Sequence, residues 1–362
     1  MIPIAKPLIG EEEKNAVRHV LESGMIAAGP RTEEFEKKFA EYVGTKYAIA
    51  TTSGTTALHL GLLCLGVKKG DEVIIPAFTF IASANAPLFC GATPVFCDVD
   101  ARTFNIDPEK VKKLITKKTK AIMPVHLYGQ AADMKPLLEI AEQHAIHIIG
   151  DACQAHGALY DSKMVGSFPD LECFSFYPTK NMTSSEGGMI TTDRQDLAEL
   201  ANSLRNHGRE KTKWGYEHGR LGYNYRMTDI TAAIGLEQLK KLPGFNDKRR
   251  RNARYLDTHL TSVEIPYVLP NAQHCYHQYT IKTQQRDALI QHLKKNEIGF
   301  GIYYPKPVHQ FEHLKPYGHR DLKTSEKLIN EVLSLPVHPA LQQADLETIV
   351  KVVNEASQHP YK

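Results

Sequence analysis

The chain has little of several things, and each shortage excludes a class of protein. Among its 362 residues are one tryptophan and six cysteines, at 64, 90, 97, 153, 173 and 275, with no CxxC pair. The cysteines sit mostly inside apolar stretches, as small core residues of a reducing compartment do, and not in the pattern of a disulfide framework. Neither charge is in excess: 44 Lys and Arg face 41 Asp and Glu, for a formal charge of +3. So slight and dispersed a balance argues against a nucleic-acid partner or an acidic membrane surface. No apolar run reaches the roughly 18 residues of a membrane span; the best, LHLGLLCLGV, is short and contains His59. The opening MIPIAKPLIG lacks the charged start and long apolar stretch of an export signal. There is no internal repeat, low-complexity tract or extended linker. The expectation is a cytoplasmic protein large enough for one sizeable core and a smaller second one.

What is present is alternation. Between about 45 and 195, short apolar segments at 48–51, 72–75, 94–97, 121–125 and 146–150 read as strands. Amphipathic stretches at 55–65, 80–89, 108–115 and 135–144 read as helices. Continuous apolar strands separated by helices predict an α/β fold with a mostly parallel sheet covered on both faces. Helical patterns follow at 197–206, 229–242 and 246–260. After Thr261 the texture changes to YHQYTIK and IGFGIYYP alternating with helices near 288–295 and 344–353. The reading is a large domain over residues 1–246 and a small α+β domain over 247–362, with the first twenty or so residues packing beside the latter.

Two charged residues stand at or just beyond the ends of apolar segments. Asp151 closes the apolar run HIIGD, and Lys180, 29 positions later, follows CFSF in the segment FSFYPTKN, just ahead of the glycines of EGGMITT. Taken singly, Asp151 also suits a turn cap and Lys180 a surface position. Together they match what pyridoxal phosphate (PLP) asks of a protein: an amine to link with its aldehyde, and a carboxylate to keep its ring nitrogen protonated. A charge pair about 4 Å apart, at an effective dielectric near 20, is worth about 4 kcal/mol, or roughly three pKa units on the ring nitrogen. That suffices to hold the nitrogen protonated at neutral pH. SGTT (Ser53 to Thr56) follows a strand and opens a helix, where free amides suit a phosphate, although taken alone a plain capped helix start is the commoner explanation. Ligands of such sheets bind beyond the carboxyl ends of the strands, where Asp151, Ser175 and the 52–55 turn are all expected.

With SGTTALHL, PAFTFIASANA, PVHLYGQAADM, DACQAHGA, FSFYPTKN, LRNHG, GYNYRMTDI and GIYYPKPVH in order along nearly the whole chain, the sequence resembles the DegT/DnrJ/EryC1/StrS family. These are sugar aminotransferases of PLP fold type I. The resemblance implies that Lys180 links covalently to the cofactor and that Asp151 pairs with its ring nitrogen. It implies that Phe80 stacks on the ring, that Gln154 and His156 line the cofactor face, and that Gly54, Thr55 and Ser175 bind the phosphate. Asn224 matches a residue reaching the phosphate from a neighbouring subunit, and Arg226 is a candidate for gripping the amino donor's carboxylate across the same interface, or else a structural ion pair. Tyr304 and His309 are candidates for lining the sugar pocket. One departure is TSSEGG in place of the commoner TTGEGG, which removes a glycine at Ser185.

The function expected from this is transfer of an amino group from L-glutamate to a nucleotide-linked keto-sugar, with a slight preference for a 4-keto sugar, in a homodimer with shared sites. A keto-cyclitol substrate, a PLP-dependent sugar dehydration, and a non-catalytic binding or regulatory protein on the same fold are the alternatives. Retention of lysine at 180, where some dehydrating relatives carry histidine, favours amino transfer. A nicotinamide dehydrogenase is disfavoured because no GxGxxG follows a predicted strand. No metal is expected, since HCYH (His274 to His277) alternates like a packed strand and lacks partner acids. The basic cluster KRRRNAR reads as a solvated helix face, with phosphate contact as the other reading.

Overall fold

The computed structural model describes residues 1–318 and 321–358. In chain order the first elements are α1 (Glu11–Ser23), α2 (Pro30–Val43), β1 (Tyr47–Thr51), α3 (Gly54–Cys64), β2 (Glu72–Pro76), α4 (Ile81–Phe89), β3 (Thr93–Cys97) and α5 (Pro108–Lys112). They are followed by β4 (Thr119–Ile122), α6 (Met134–His144), β5 (His147–Asp151), the two-residue strands β6 (Leu159–Tyr160) and β7 (Lys163–Met164), β8 (Leu171–Ser175), β9 (Gly188–Thr192) and α7 (Gln195–Leu204). Seven strands form one sheet in the order β1-β9-β8-β5-β4-β2-β3. It is parallel except at β9, which runs against both of its neighbours.

Alternation along each strand explains the two layers. Ile74, Val95, Ile148, Phe174 and Met189 point into one core, beneath α2 and α6, while Ile75, Phe96, Ile149, Cys173 and Ile190 point into the other, with α3, α4 and α7. Successive strand residues face opposite sides, so a strand buried on both must be apolar throughout. That is why these strands are continuous runs of Val, Ile, Ala and Phe.

The chain continues through β10 (Arg209–Thr212) and β11 (Gly215–His218), an exposed hairpin, into α8 (Asp229–His259). Where the sequence predicts two helices broken near Pro243, there is one of 31 residues. Pro243 and Gly244 lie on its exposed side, so the residues facing the cores carry the helix through. Its first half packs Leu236, Leu239 and Leu242 into the core beneath the sheet; its second half sends Ala253 and Leu256 into a third core. That third core is built with β13 (Tyr279–Lys282), α9 (Arg286–Lys295), β14 (Val332–Leu335) and α11 (Gln343–Gln358), while β12 (Ala272–Gln273) pairs with β6 and α10 (Lys323–Glu331) places Leu328 in a fourth core with Phe78 and Phe104. β13 and β14 pair antiparallel.

The N-terminal stretch divides. Ile2 bridges Ile298 and enters the third core, whereas α1 lies along α8, where buried Glu13 meets Lys241 at 2.7 Å. Asp229 at the start of α8 caps α2 from a distance, accepting from the amides of Gly29, Arg31 and Thr32. Asp98, just beyond β3, caps α10 through Thr324 and Ser325 and is paired with Lys110 at 3.1 Å. Burial opposes its ionisation, but these donors hold its carboxyl at about 2. Such remote caps join elements far apart in sequence, each worth about 1 kcal/mol. Among the described residues no helix is long and apolar enough to cross a membrane.

Candidate active site

β5 ends on Asp151, whose carboxylate is almost wholly removed from solvent. Its Oδ2 accepts from the Ser83 hydroxyl at 2.7 Å and its Oδ1 from the Cys153 amide at 3.2 Å. Ser83 is one turn into α4 and is itself 3.1 Å from the Thr79 hydroxyl. Among the described residues no cation is paired with Asp151. A buried carboxylate is retained only with such donors or with a cationic partner. A cationic ring nitrogen is a group this anion is suited to meet.

Next to β5, strand β8 ends at Ser175, and the chain turns through 176–187 before entering β9. Lys180 sits on that turn, half-buried. Burial pushes its ammonium below the usual lysine value, while the negative charges of Cys153, if ionised, and Asp151 pull it back up. The Cys153 thiol is itself pushed well up by burial, so it sets no charge against Lys180 at neutral pH. An amine lowered in this way is nearer the protonation state that a nucleophile or proton carrier needs.

The third contributor is the start of α3. Ser53 and Thr56 form a reciprocal capping box, Ser53 Oγ accepting from the Thr56 amide at 3.2 Å and Thr56 Oγ1 from the Ser53 amide at 2.9 Å. The Gly54 and Thr55 amides, first in the helix, have no partner among the described residues. A Cβ at Gly54 would lie 2.7 Å from the Ser175 Cβ and 2.8 Å from the Cys153 sulfur, so only glycine lets the helix start approach the strand ends. Gly188 serves the same approach from β9, since a Cβ there would lie 2.2 Å from the Ser53 carbonyl oxygen. Free amides, a helix start and the Ser175 hydroxyl form a donor set for a phosphate dianion. Phe80, the residue before α4, leaves its ring 56% exposed, an uncommon state for a phenylalanine and a ready face for a planar ring. These groups fit PLP: an amine, a buried anion, a phosphate cradle and an aromatic plate at neighbouring strand ends.

Other expected residues are placed differently. Gln154 is committed on both sides, its Oε1 accepting from the Tyr128 amide at 2.9 Å and its Nε2 donating to the Tyr304 hydroxyl at 2.7 Å. Tyr304 is therefore turned toward Gln154 and stacked near Tyr128, with ring centroids 5.9 Å apart; it is a buried neighbour of the cofactor face and does not line an open sugar pocket. His156 is corrected more strongly. Only 1% exposed, it is packed against Phe174 and Phe176 at 5.2 and 5.7 Å, and neither ring nitrogen has a well-formed hydrogen bond. Burial and the Lys180 charge push it down to about 3, so it is a neutral core histidine and has no face for a substrate. His309 is buried beside Phe96 with its Nε2 3.1 Å from Glu326, and it lines a separate opening with Lys306, Gln310 and Lys315.

Asn224 is exposed, and Arg226 donates to the Asn206 side chain at 2.8 Å. Neither touches the Lys180 cluster within the chain. Arg226 instead lines an open groove of about 1590 Å³ that also takes in Arg205, Arg209 and Arg220. The basic cluster on α8 is only partly solvated: Arg249 is buried and donates to the carbonyls of Tyr276 and His277 at 3.0 and 3.3 Å. HCYH is no strand, because Tyr276 takes a left-handed φ of 48°. At Ser185 the backbone keeps the conformation a glycine would favour, with φ 72°. Sequence reasoning missed Ser83, although it lies one helical turn beyond Phe80 in FIASANA, on the face that meets β5.

The chain is similar to known proteins along nearly its whole length. The DegT/DnrJ/EryC1/StrS aminotransferase family matches residues 7–354. GDP-perosamine synthase of Caulobacter vibrioides is 41% identical over 98% of both chains. The dTDP-3-amino-3,6-dideoxy-alpha-D-galactopyranose transaminase of Aneurinibacillus thermoaerophilus is 40% identical over 95% of both. Among solved structures, the PLP-form of the sugar-aminotransferase-like protein Spr1654 from Streptococcus pneumoniae superposes with a TM-score of 0.93 at 30% identity, covering 99% of this chain and 98% of that one.

Proposed function

The chain belongs to the DegT/DnrJ/EryC1/StrS aminotransferase family, and on that premise we propose that it moves an amino group from L-glutamate to a nucleotide-linked keto-sugar, a 4-keto sugar by preference. Membership makes it a PLP-dependent aminotransferase. The nucleotide-sugar is supported by the relatives, whose names carry GDP and dTDP sugars. The observation that carries the reading is the convergence of Lys180, buried Asp151 and the amide-rich start of α3 at adjacent strand ends.

When bound, the cofactor supplies an aldehyde carbon and an electron-accepting ring. Lys180 would hold it covalently and, once displaced by the donor, its Nζ takes the proton from the donor's α-carbon. In the second half of the cycle the same atom would deliver a proton to the sugar carbon that gains nitrogen, the reverse of the first transfer. Asp151, fixed by Ser83 and the Cys153 amide, would hold the ring nitrogen's proton. Gly54, Thr55 and Ser175 would bind the phosphate, Phe80 would cover one ring face, and Gln154 would border the ring hydroxyl. Asn224 and Arg226 would act on the partner's site, making a homodimer the smallest active unit.

Adding glutamate to the yellow purified protein should abolish its visible band. A set of nucleotide keto-sugars should then restore the band with one of them, and mass spectrometry should find the corresponding amino-sugar. A protein that reacts with glutamate but with no nucleotide sugar, while aminating a keto-cyclitol, would replace the substrate half of the reading.

A further inference from the structure

Lys180 stands on a turn without regular structure, so something outside the turn must fix where its amine sits. The residue that follows it, Asn181, is buried, and its Nδ2 donates both to the Asn246 Oδ1 at 2.8 Å and to the Cys275 carbonyl at 3.0 Å. Asn246 in turn donates its own Nδ2 to the His156 carbonyl at 2.8 Å. Carbonyl acceptors at both ends fix the sense of the chain: neither amide can be reversed without setting oxygen against oxygen. Asn246 belongs to a polar row on α8. Gln238 reaches toward the Thr183 amide and to Leu8, Arg249 holds the carbonyls of Tyr276 and His277, and Asn252 donates to the carbonyls of Val337 and His338. One helix therefore ties the lysine turn, the turn after Asp151 and the segments leading into the third core to a single rigid rod.

From this we infer that Asn246 is a positioning residue for Lys180, acting through Asn181. The inference rests on the role proposed for Lys180, and buried amide networks of this kind rigidify whatever they hold. Removing the Asn246 side chain frees the Asn181 carboxamide and lets the amine drift. Displacements near 1 Å at a reacting group lower rates by about 100-fold. The effect belongs in kcat, because neither asparagine touches the groups proposed to hold substrate.

The test is a double-mutant cycle on Asn181→Ala and Asn246→Ala, with Asn181→Ser as a milder variant should an alanine variant not fold. Three readouts are taken: the rate at which glutamate bleaches the visible band, the pH midpoint of that band, and hydrogen exchange of amides 180–184 in cofactor-free protein. Each single change should slow bleaching about 10- to 100-fold with KM moved less than about threefold. The pH midpoint should shift, exchange should quicken, and the double variant should be no slower than the slower single one. Wild-type bleaching in folded variants, or losses that multiply in the double variant, overturns the inference. If the unsubstituted protein does not bleach with glutamate at all, the failure lies with the proposed amino donor, and the exchange data still decide whether Asn246 holds the turn.

Discussion

The lysine turn, 176–187, which joins β8 to β9, and the arm from 205 to 228, which joins α7 to α8, end their interactions differently. The first closes on itself and on its own chain: the Phe176 amide bonds the Gly187 carbonyl, the Ser184 amide and Thr183 hydroxyl bond the Phe176 carbonyl, and Asn181 is held by α8. The second projects outward. Trp214 is 88% and Leu221 84% exposed, and the Arg209 guanidinium lies over the Tyr216 ring at the hairpin surface. Aromatic and aliphatic groups on a long arm beside an exposed Asn224 are the usual mark of a surface another chain covers. One region is a finished half of a site. The other presents its side chains outward, as the shared site proposed above would require of a single chain.

The largest way to break the finished half is Lys180→Ala. The variant should keep PLP non-covalently, as a dialysable chromophore, and lose amino transfer by about 10²–10⁴-fold or more, the range of a lost proton carrier. Turnover near the original level would remove Lys180 from its role. In the cofactor-free protein the same amine should react with an amine-selective reagent through a midpoint below 10.5, because burial disfavours its charged form. Asp151→Asn comes next. The amide still accepts from Ser83 but carries no charge, so about 4 kcal/mol of support for the ring proton goes. The rate should fall by about 10²–10³-fold while the fold, followed by thermal melting, is kept.

The outward half is sharpened by mixing. Asn224→Ala and Lys180→Ala chains, each inactive alone, should together regain about a quarter of native activity, because half of randomly paired dimers carry one intact site. No recovery, with mixed dimers demonstrated by mass, would place Asn224 in its own chain's site or in none.

How much of this could be seen in the sequence follows the range of the contacts involved. Asp151 was legible because it terminates a strand whose apolar run marks its end, and Lys180 because it follows the next such run by a few residues. The parallel sheet was legible because burial on both faces leaves continuous apolar strands. Ser83 and Asn246 were not, since they meet Asp151 and Asn181 across 68 and 65 residues, and nothing local to SAN or FND announces a partner. The continuity of α8 was hidden by Pro243 and Gly244, which propensity reads as a break and which packing on the opposite face overrides. The hairpin 209–218 was hidden by its polar sequence, REKTKWGYEH, which has no buried face to alternate. His156 misled for the opposite reason: a motif position beside the cofactor says nothing of which way the ring turns.

The smallest effect tests the finished half where sequence and backbone disagree. Ser185 holds a left-handed φ of 72° on the lysine turn, exposed, with its amide donating to the Thr183 hydroxyl at 3.0 Å. An L-residue pays roughly 1–2 kcal/mol for that conformation and glycine almost nothing. Glycine also loses more freedom on folding, which takes back about 0.5–1 kcal/mol. Ser185→Gly should therefore stabilise the protein by under about 1 kcal/mol, raising the melting temperature by a degree or two at this chain length, and leave amino transfer unchanged. The backbone hydrogen bond to Thr183 survives the change, and no contact of the serine side chain is lost with it. A destabilised variant would mean that the turn is held in its left-handed form by the serine itself, and the closure of this region would then depend on a side chain at its exposed tip.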